Sequence, residues 1–84
     1  MNFYQSSGFS RAYDKIIRKN PFLIPLIKER IHLFQTHQNH PSLKVHKLTG
    51  SKHEAWSFSV AHDLRILFSR VPDGFIFVDI GSHD

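Results

Sequence analysis

The sequence predicts a single α+β domain, residues 1–84, in which two N-terminal helices pack on one face of an antiparallel sheet of three to four strands. Apolar residues recur at i, i+3 and i+4 up to about residue 37, and at every second position after about residue 45. The 84 residues are 40% hydrophobic and include eight Phe, which is enough apolar material for one core.

The first helix is expected over residues 10–19. Five apolar residues lie at helical spacing, namely Phe9, Ala12, Tyr13, Ile16 and Ile17. Ser10 is the expected N-cap, and Asn20-Pro21 ends the helix because a residue before Pro disfavours the helical conformation.

The second helix is expected to run to about His37. The same spacing continues through Leu23, Leu26, Ile27, Ile31 and Phe34. Two starts remain open. Asn20 could cap a helix with Pro21 in its first turn, or the regular part could begin near Pro25, which would otherwise remove a hydrogen bond.

The strands follow in the second half of the chain. Val45–Leu48 is a short candidate, and Trp56, Phe58 and Val60 alternate with small polar residues as in a strand with one buried face. Residues 64–71 and 75–80 read as two strands joined by the turn Pro72-Asp73-Gly74, and Met1–Gln5 is a candidate further strand. Residues 75–80 are apolar on both faces, so this strand is expected to be central. The sheet face away from the helices is then open for function.

Composition excludes several classes of protein. The chain has no Cys, so disulfides, thiolate zinc sites and Cys nucleophiles are ruled out. No apolar run reaches the roughly 20 residues that span a bilayer, and the N-terminus lacks a signal-peptide pattern. A cytoplasmic protein without membrane contact is expected.

Charge is distributed unevenly along the chain. Residues 1–52 hold nine Lys and Arg against two acidic residues, whereas residues 53–84 hold two against five. A basic half of this kind is typical of a phosphate-backbone binder or of a protein that binds an acidic partner. A solvated basic surface without a ligand is the alternative that charge alone leaves open.

Histidine and arginine are the residues most indicative of chemistry. Five of the seven His lie at the ends of predicted strands: His40, His46, His53, His62 and His83. Imidazole exchanges protons near neutral pH, which suggests acid–base chemistry, although any single His is more often structural. His37 and His40 have an H-x-x-H spacing, but no carboxylate is nearby in sequence, so no metal is predicted. Arg65 lies inside an apolar strand, where a charge needs a partner or a site.

The order of several segments resembles the RelE superfamily of bacterial type II toxin–antitoxin toxins, in particular its YafQ- and YoeB-like branch. The segments are His40–Gly50, Ala55–Val60, Leu64–Phe68 and Asp79–Asp84, together with Phe9, its helix and the Asn20-Pro21 break. The resemblance covers nearly the whole chain. It implies a curved sheet whose concave face binds RNA, and cleavage of messenger RNA, usually on the 70S ribosome, without metal or cofactor.

The resemblance also assigns roles to residues. His46 would be the general base, Arg65 would stabilise phosphate charge and His83 would be the general acid, with His62 and Asp63 as further acid–base candidates. The candidates for RNA binding are Lys44, Lys47, Lys52, Trp56, Arg11 and Arg18, although a strand Trp that alternates with Phe and Val is more often a core residue. A cognate antitoxin would cover the basic half.

Two other functions share this fold. A ParE-like toxin would inhibit DNA gyrase without catalysis, but such chains generally lack the His and Arg set. An inactive relative that binds RNA or protein is the third reading.

Overall fold

The computed structural model describes residues 1–48 and 54–82, which form one sheet covered on one face by two helices. The elements in chain order are β1 (Asn2–Gln5), α1 (Ser7–Lys19), a 3₁₀ turn (Pro21–Leu23), α2 (Ile24–Thr36), a second 3₁₀ turn (Pro41–Leu43), β2 (His46–Lys47), β3 (Trp56–Ala61), β4 (Leu64–Val71) and β5 (Gly74–Ser82). The predicted α+β class and the two helices are confirmed. The sheet has five strands rather than three or four.

The strand order is β1-β5-β4-β3-β2, and every pair is antiparallel except β1 with β5, which is parallel. The middle strand is therefore β4, whereas the sequence favoured residues 75–80. β5 is nevertheless paired on both edges, because β1 occupies its outer side. No helix in the described parts of the chain has the length and hydropathy needed to cross a membrane.

Helix α1 begins three residues earlier than predicted. Its N-cap is Ser6 and not Ser10: the Ser6 hydroxyl accepts a hydrogen bond from Phe9 N at 3.0 Å and donates one to Val78 O at 3.1 Å. The reason for the difference is tertiary, since the same hydroxyl caps the helix and fastens it to β5. Asn20 ends the helix as predicted.

Helix α2 resolves the question of the two prolines. Pro21 lies in the separate 3₁₀ turn, and Pro25 lies in the first turn of α2, where the backbone N–H has no partner within the helix. The helix therefore begins next to Pro25, and Asn20-Pro21 starts only the three-residue 3₁₀ turn before it, without a side-chain cap from Asn20. His37 caps the far end through a 2.7 Å hydrogen bond from its N–H to Leu33 O.

The core lies between the helices and one face of the sheet. Its buried members are Phe9, Ile27, Phe34, Leu43, Phe58, Val60, Ile66, Phe68, Phe75, Phe77 and Ile80. The buried apolar residues of β3 and β4 follow the period of two that the sequence showed. In β5 the period shifts by one residue between Phe77 and Ile80, at the irregularity opposite Leu67 and Phe68. No helix of the described residues covers the opposite sheet face, as expected.

Strand β1 is held close to the turn before β5. The Asp73 carboxylate accepts hydrogen bonds from Tyr4 Oη at 2.6 Å and from Asn2 Nδ2 at 2.9 Å, and these bonds lower the Asp73 pKa. Gly74 adopts φ +158°, and a Cβ placed there would lie 1.8 Å from Asn2 O. Only Gly therefore fits where β1 approaches β5.

Gly74→Ala is expected to lower the free energy of unfolding by about 2 kcal/mol, because β1 must move away from the added methyl group. This corresponds to a decrease in Tm of roughly 10 °C for a domain of this size. Gly81→Ala is the matched control, since a Cβ at Gly81 meets no atom within 4 Å. Thermal denaturation of both variants measures the difference, and equal Tm values would contradict the proposed clash.

Candidate active site

The open face of the sheet carries the polar residues that the sequence singled out. Strand register places His46 opposite Ser57, Ser57 opposite Leu67, and Leu67 opposite Asp79, so these four residues form one row across four strands. Paired residues on neighbouring strands point to the same face. Arg65 lies two positions from Leu67 on β4 and therefore shares that face.

The Arg65 guanidinium is fixed by three protein acceptors. Its Nε donates to Ser57 Oγ at 3.0 Å, and its Nη2 donates to Lys44 O at 2.9 Å and to His46 Nδ1 at 3.1 Å. The two N–H groups of Nη1 have no acceptor among residues 1–48 and 54–82. Partial burial lowers the Arg65 pKa, but an arginine remains cationic at neutral pH. The site thus holds a positioned cation with two N–H groups that none of the described residues binds.

The contacts of His46 define two states of its imidazole. When Nδ1 accepts from Arg65, the neutral ring carries its proton on Nε2. Nδ1 also lies 3.2 Å from Lys44 O, and a ring that donates to this carbonyl has an unprotonated Nε2. Only the second tautomer can accept a proton at Nε2. Lys44 O therefore stabilises the form of His46 that a general base requires.

Lys44 supplies this carbonyl from a left-handed backbone conformation. It ends the second 3₁₀ turn with φ 49°, the only positive φ of a non-glycine residue in the described ranges. The turn begins at His40, whose Nδ1 accepts from Ser42 N at 3.1 Å. A non-glycine residue in this conformation is strained and is kept there by its surroundings. Here the Arg65 hydrogen bond is one such restraint.

Ser57 is a site residue that the sequence did not identify. It is 1% exposed and is the one buried polar residue in the described part of the chain, although it lies on the open face. Alternation of Ser57 and Ser59 indicated only a polar strand face. The cross-strand register that brings Ser57 Oγ beside Arg65 Nε is a long-range property, which the alternation does not encode.

A depression of about 330 Å³ lies beside Arg65, lined by Leu48, Ser57, Arg65, Leu67, Asp79, Gly81 and Ser82. Asp79 is a second residue that sequence reasoning missed; its Oδ1 accepts from Ile80 N at 2.8 Å. His83, the predicted general acid, directly follows Ser82 in the sequence and lies outside the described residues. Its assignment stays a prediction.

The two further acid–base candidates lie elsewhere. His62 and Asp63 form the turn between β3 and β4, are highly exposed, and approach each other to 3.7 Å (Nε2 to Oδ1). Neither makes a hydrogen bond or an ion pair with Arg65 or His46. They border a groove on the helix side of the sheet, together with Ile16 of α1.

The RNA-binding candidates are also spread over the molecule. Lys44 lies two residues before β2, and Lys47 is the second residue of β2 and pairs with Glu54 at 3.6 Å. Arg11 and Arg18 are exposed on α1, which covers the opposite sheet face. Lys52 lies outside the described residues.

Trp56 lies on the helix-covered face and packs against the core, so the sheet separates it from Arg65. Arg70 stacks over its ring at 5.3 Å from the ring centroid. The core reading of Trp56 therefore fits its position better than a role beside Arg65.

Metal ligands do not cluster in the described ranges: no group of three or more His, Asp or Glu side chains there could hold an ion. The H-x-x-H pair is engaged locally, since His37 Nδ1 lies 3.0 Å from Thr36 Oγ1 and His40 Nδ1 lies 2.8 Å from Ser42 Oγ.

No protein-family model matches the chain, and no curated protein matches it in sequence. Solved structures do match it over nearly its whole length. YafQ from E. coli has a TM-score of 0.80 at 18% identity, with 98% of this chain and 92% of YafQ covered. The E. coli DinJ–YafQ toxin–antitoxin complex gives 0.79 at 20% identity, covering 98% and 91%. A YoeB/ParE toxin from Agrobacterium tumefaciens gives 0.79 at 15% identity, covering 100% of both chains.

These similarities confirm at the level of the fold the resemblance that the sequence segments suggested. At 15 to 20% identity they extend over both helices and the sheet that carries Arg65 and His46. The chain has the RelE-like toxin fold.

Proposed function

We propose that this chain is the toxin of a toxin–antitoxin system and that it cleaves messenger RNA by acid–base catalysis. The observation that carries the proposal is the contact between Arg65 Nη2 and His46 Nδ1 at 3.1 Å on the open sheet face, with Nη1 of Arg65 bound by none of the described residues. A cation with a free edge beside an imidazole suits a phosphodiester whose charge increases during reaction.

RNA supplies its own nucleophile, the 2′-hydroxyl. His46 acts as general base in the tautomer whose Nδ1–H donates to Lys44 O and no longer accepts from Arg65, and its Nε2 takes the proton from this hydroxyl. The 2′-oxygen attacks the adjacent phosphorus, and Arg65 stabilises the additional negative charge on the phosphoryl oxygens. The bond from phosphorus to the 5′-oxygen then breaks, and His83 donates a proton to that oxygen. The products are a 2′,3′-cyclic phosphate and a 5′-hydroxyl, with no other reactant.

The partners follow from the same proposal. The chain would act in the bacterial cytoplasm on messenger RNA at the 70S ribosome, where its surplus of positive charge attracts nucleic acid. A cognate antitoxin would neutralise it. Support comes from YafQ, which has the same fold and is described in complex with DinJ as a toxin–antitoxin pair.

Expression of the parent chain from a repressed promoter is expected to arrest translation and to cut messages at defined codons. His83→Ala is expected to reduce cleavage by about 10²- to 10⁴-fold and to be tolerated by growing cells, because an acid–base group is lost. His32→Ala is the matched control, since His32 is an exposed residue of α2 away from the site. Labelled-methionine incorporation and primer extension on messages measure both effects.

Two outcomes would overturn the proposal. One is a His83→Ala variant that remains as toxic as the parent. The other is growth arrest with intact messages and gyrase-dependent DNA breaks, which would support the ParE-like alternative.

A further inference from the structure

A second cavity of about 370 Å³ lies at the end of the sheet beyond Lys44. Its polar lining comes from Asn39, His40, Lys44 and Arg70, and Trp56 forms part of its wall. No described residue that lines it is acidic. The nearest acid in sequence to this wall, Glu54, pairs with Lys47. The cavity therefore carries net positive charge.

The groups around the cavity are mainly hydrogen-bond donors. His40 Nδ1 accepts from the backbone N–H of Ser42, so the proton of the neutral ring is on Nε2. Lys44 and Arg70 have only donors, and Asn39 contributes an amide. A cavity of this kind fits a ligand that is anionic and rich in acceptors, which is the chemistry of a phosphate group.

Arg70 is held in place by aromatic rings. Its guanidinium carbon lies 5.3 Å from the centroid of Trp56 and 5.9 Å from that of Phe75. A cation–π contact restrains the guanidinium without a hydrogen-bond acceptor. Arg70 has no side-chain hydrogen bond or ion pair with another described residue. Its N–H edge is thus available to bind an anion.

Lys44 connects this cavity to the candidate active site. Its carbonyl accepts from Arg65 on the open face, while the residue also lines the second cavity. We propose that the cavity binds a second phosphate group of the RNA strand whose reacting phosphate lies on Arg65. This inference rests on the proposed function and adds a path for the strand around the end of the sheet.

Binding of fully 2′-O-methylated RNA, which lacks the nucleophile, tests this path. Fluorescence anisotropy at several salt concentrations gives the slope of log K against log salt. Arg70→Gln is expected to reduce the magnitude of this slope by about 0.7, the value for one phosphate contact on a single strand. Arg70→Lys should keep the parent slope because the charge remains. Lys28→Gln on α2 is the matched loss of one charge and should also keep it.

Trp56 provides a direct readout because it is the only Trp in the chain. Inorganic phosphate is expected to change its emission in the parent and in Lys28→Gln but not in Arg70→Gln. If folded Arg70→Gln binds the methylated RNA with the same slope of log K against log salt as the parent, the proposal is overturned, even if free phosphate still binds. A response of Trp56 to polyglutamate but not to phosphate would also overturn it, in favour of an acidic peptide. If Arg70→Gln reduces the salt slope but the parent chain cleaves no RNA, the phosphate subsite is supported and the proposed nuclease activity is refuted.

Discussion

Arg65→Lys is expected to slow message cleavage by about 10²- to 10³-fold while the domain stays folded. The guanidinium donates one N–H to Ser57 Oγ and one to Lys44 O, and a third lies within reach of His46 Nδ1. The two N–H groups of Nη1 meet no acceptor among the described residues. Lysine carries the same charge, but its ammonium has three donors on a flexible stem. It cannot hold Ser57 Oγ, Lys44 O and His46 Nδ1 and still bind a phosphate.

Arg65→Lys should lower the cleavage rate of the enzyme–RNA complex more than it lowers the affinity for RNA. The positive charge remains in Arg65→Lys, so attraction of the RNA backbone is largely kept, whereas stabilisation of the transition state needs the positioned fork. Single-turnover cleavage at saturating enzyme separates the two effects.

Ser57→Ala removes one hydrogen bond that restrains the Arg65 guanidinium and should give a smaller decrease in the cleavage rate.

Arg30→Lys is the matched control for this substitution. Arg30 also makes several hydrogen bonds, from Nε to Ser59 O at 3.2 Å and from Nη2 to Ser42 O at 2.6 Å. These bonds join α2 to β3 and to the second 3₁₀ turn, away from the open face. Arg30→Lys is therefore expected to lower Tm and, below Tm, to reduce the cleavage rate far less than Arg65→Lys does, because Arg30 reaches the site only through the turn that ends at Lys44. An Arg65→Lys variant that cleaves at the parent rate would contradict the role of the guanidinium fork.

Local patterns in the sequence were sufficient for most of the fold. The helical spacing around Ile16 and Ile27, and the alternation from Trp56 to Val60, are short-range signals that survive in the structure. The prediction of Ser10 as the N-cap of α1 was wrong, because Ser6 gains a second hydrogen-bond partner, Val78 O, which is distant in sequence. The parallel pairing of β1 with β5 was not predicted, since pairing direction depends on tertiary contacts.

The candidate site was also predictable only in part, because some of its residues have a local signal in the sequence and others depend on tertiary contacts. Arg65 stood out because a charge inside an apolar strand is unusual, and the structure brings it into contact with His46. Ser57 and Asp79 gave no such signal, because small or acidic residues on an open strand face are ordinary. Their relation to Arg65 depends on the register of β3, β4 and β5. His62 and Asp63, singled out through the family resemblance, lie in an exposed turn and make no hydrogen bond or ion pair with Arg65 or His46.

Phe34→Ala is expected to destabilise the domain by about 4 kcal/mol, within the range for removal of a buried Phe. Phe34 is 1% exposed and connects α2 to the sheet. Its ring stacks on Phe58 with centroids 4.5 Å apart and also packs on Phe68 at 4.7 Å and Phe75 at 5.2 Å. A cavity at this position faces several rings that cannot all move in to fill it.

Because small domains are stable by only about 5 to 15 kcal/mol, this loss should lower Tm by roughly 20 °C. Phe22→Ala is the matched control: Phe22 is 73% exposed, so the same substitution should change stability by no more than about 0.5 kcal/mol. Equal Tm values would show that α2 is not anchored through Phe34.

Cleavage by Phe34→Ala should be lost at 37 °C and recovered well below its Tm, because the residues of the open face are unchanged. Arg65→Lys should be impaired at both temperatures, which separates loss of the fold from loss of the site.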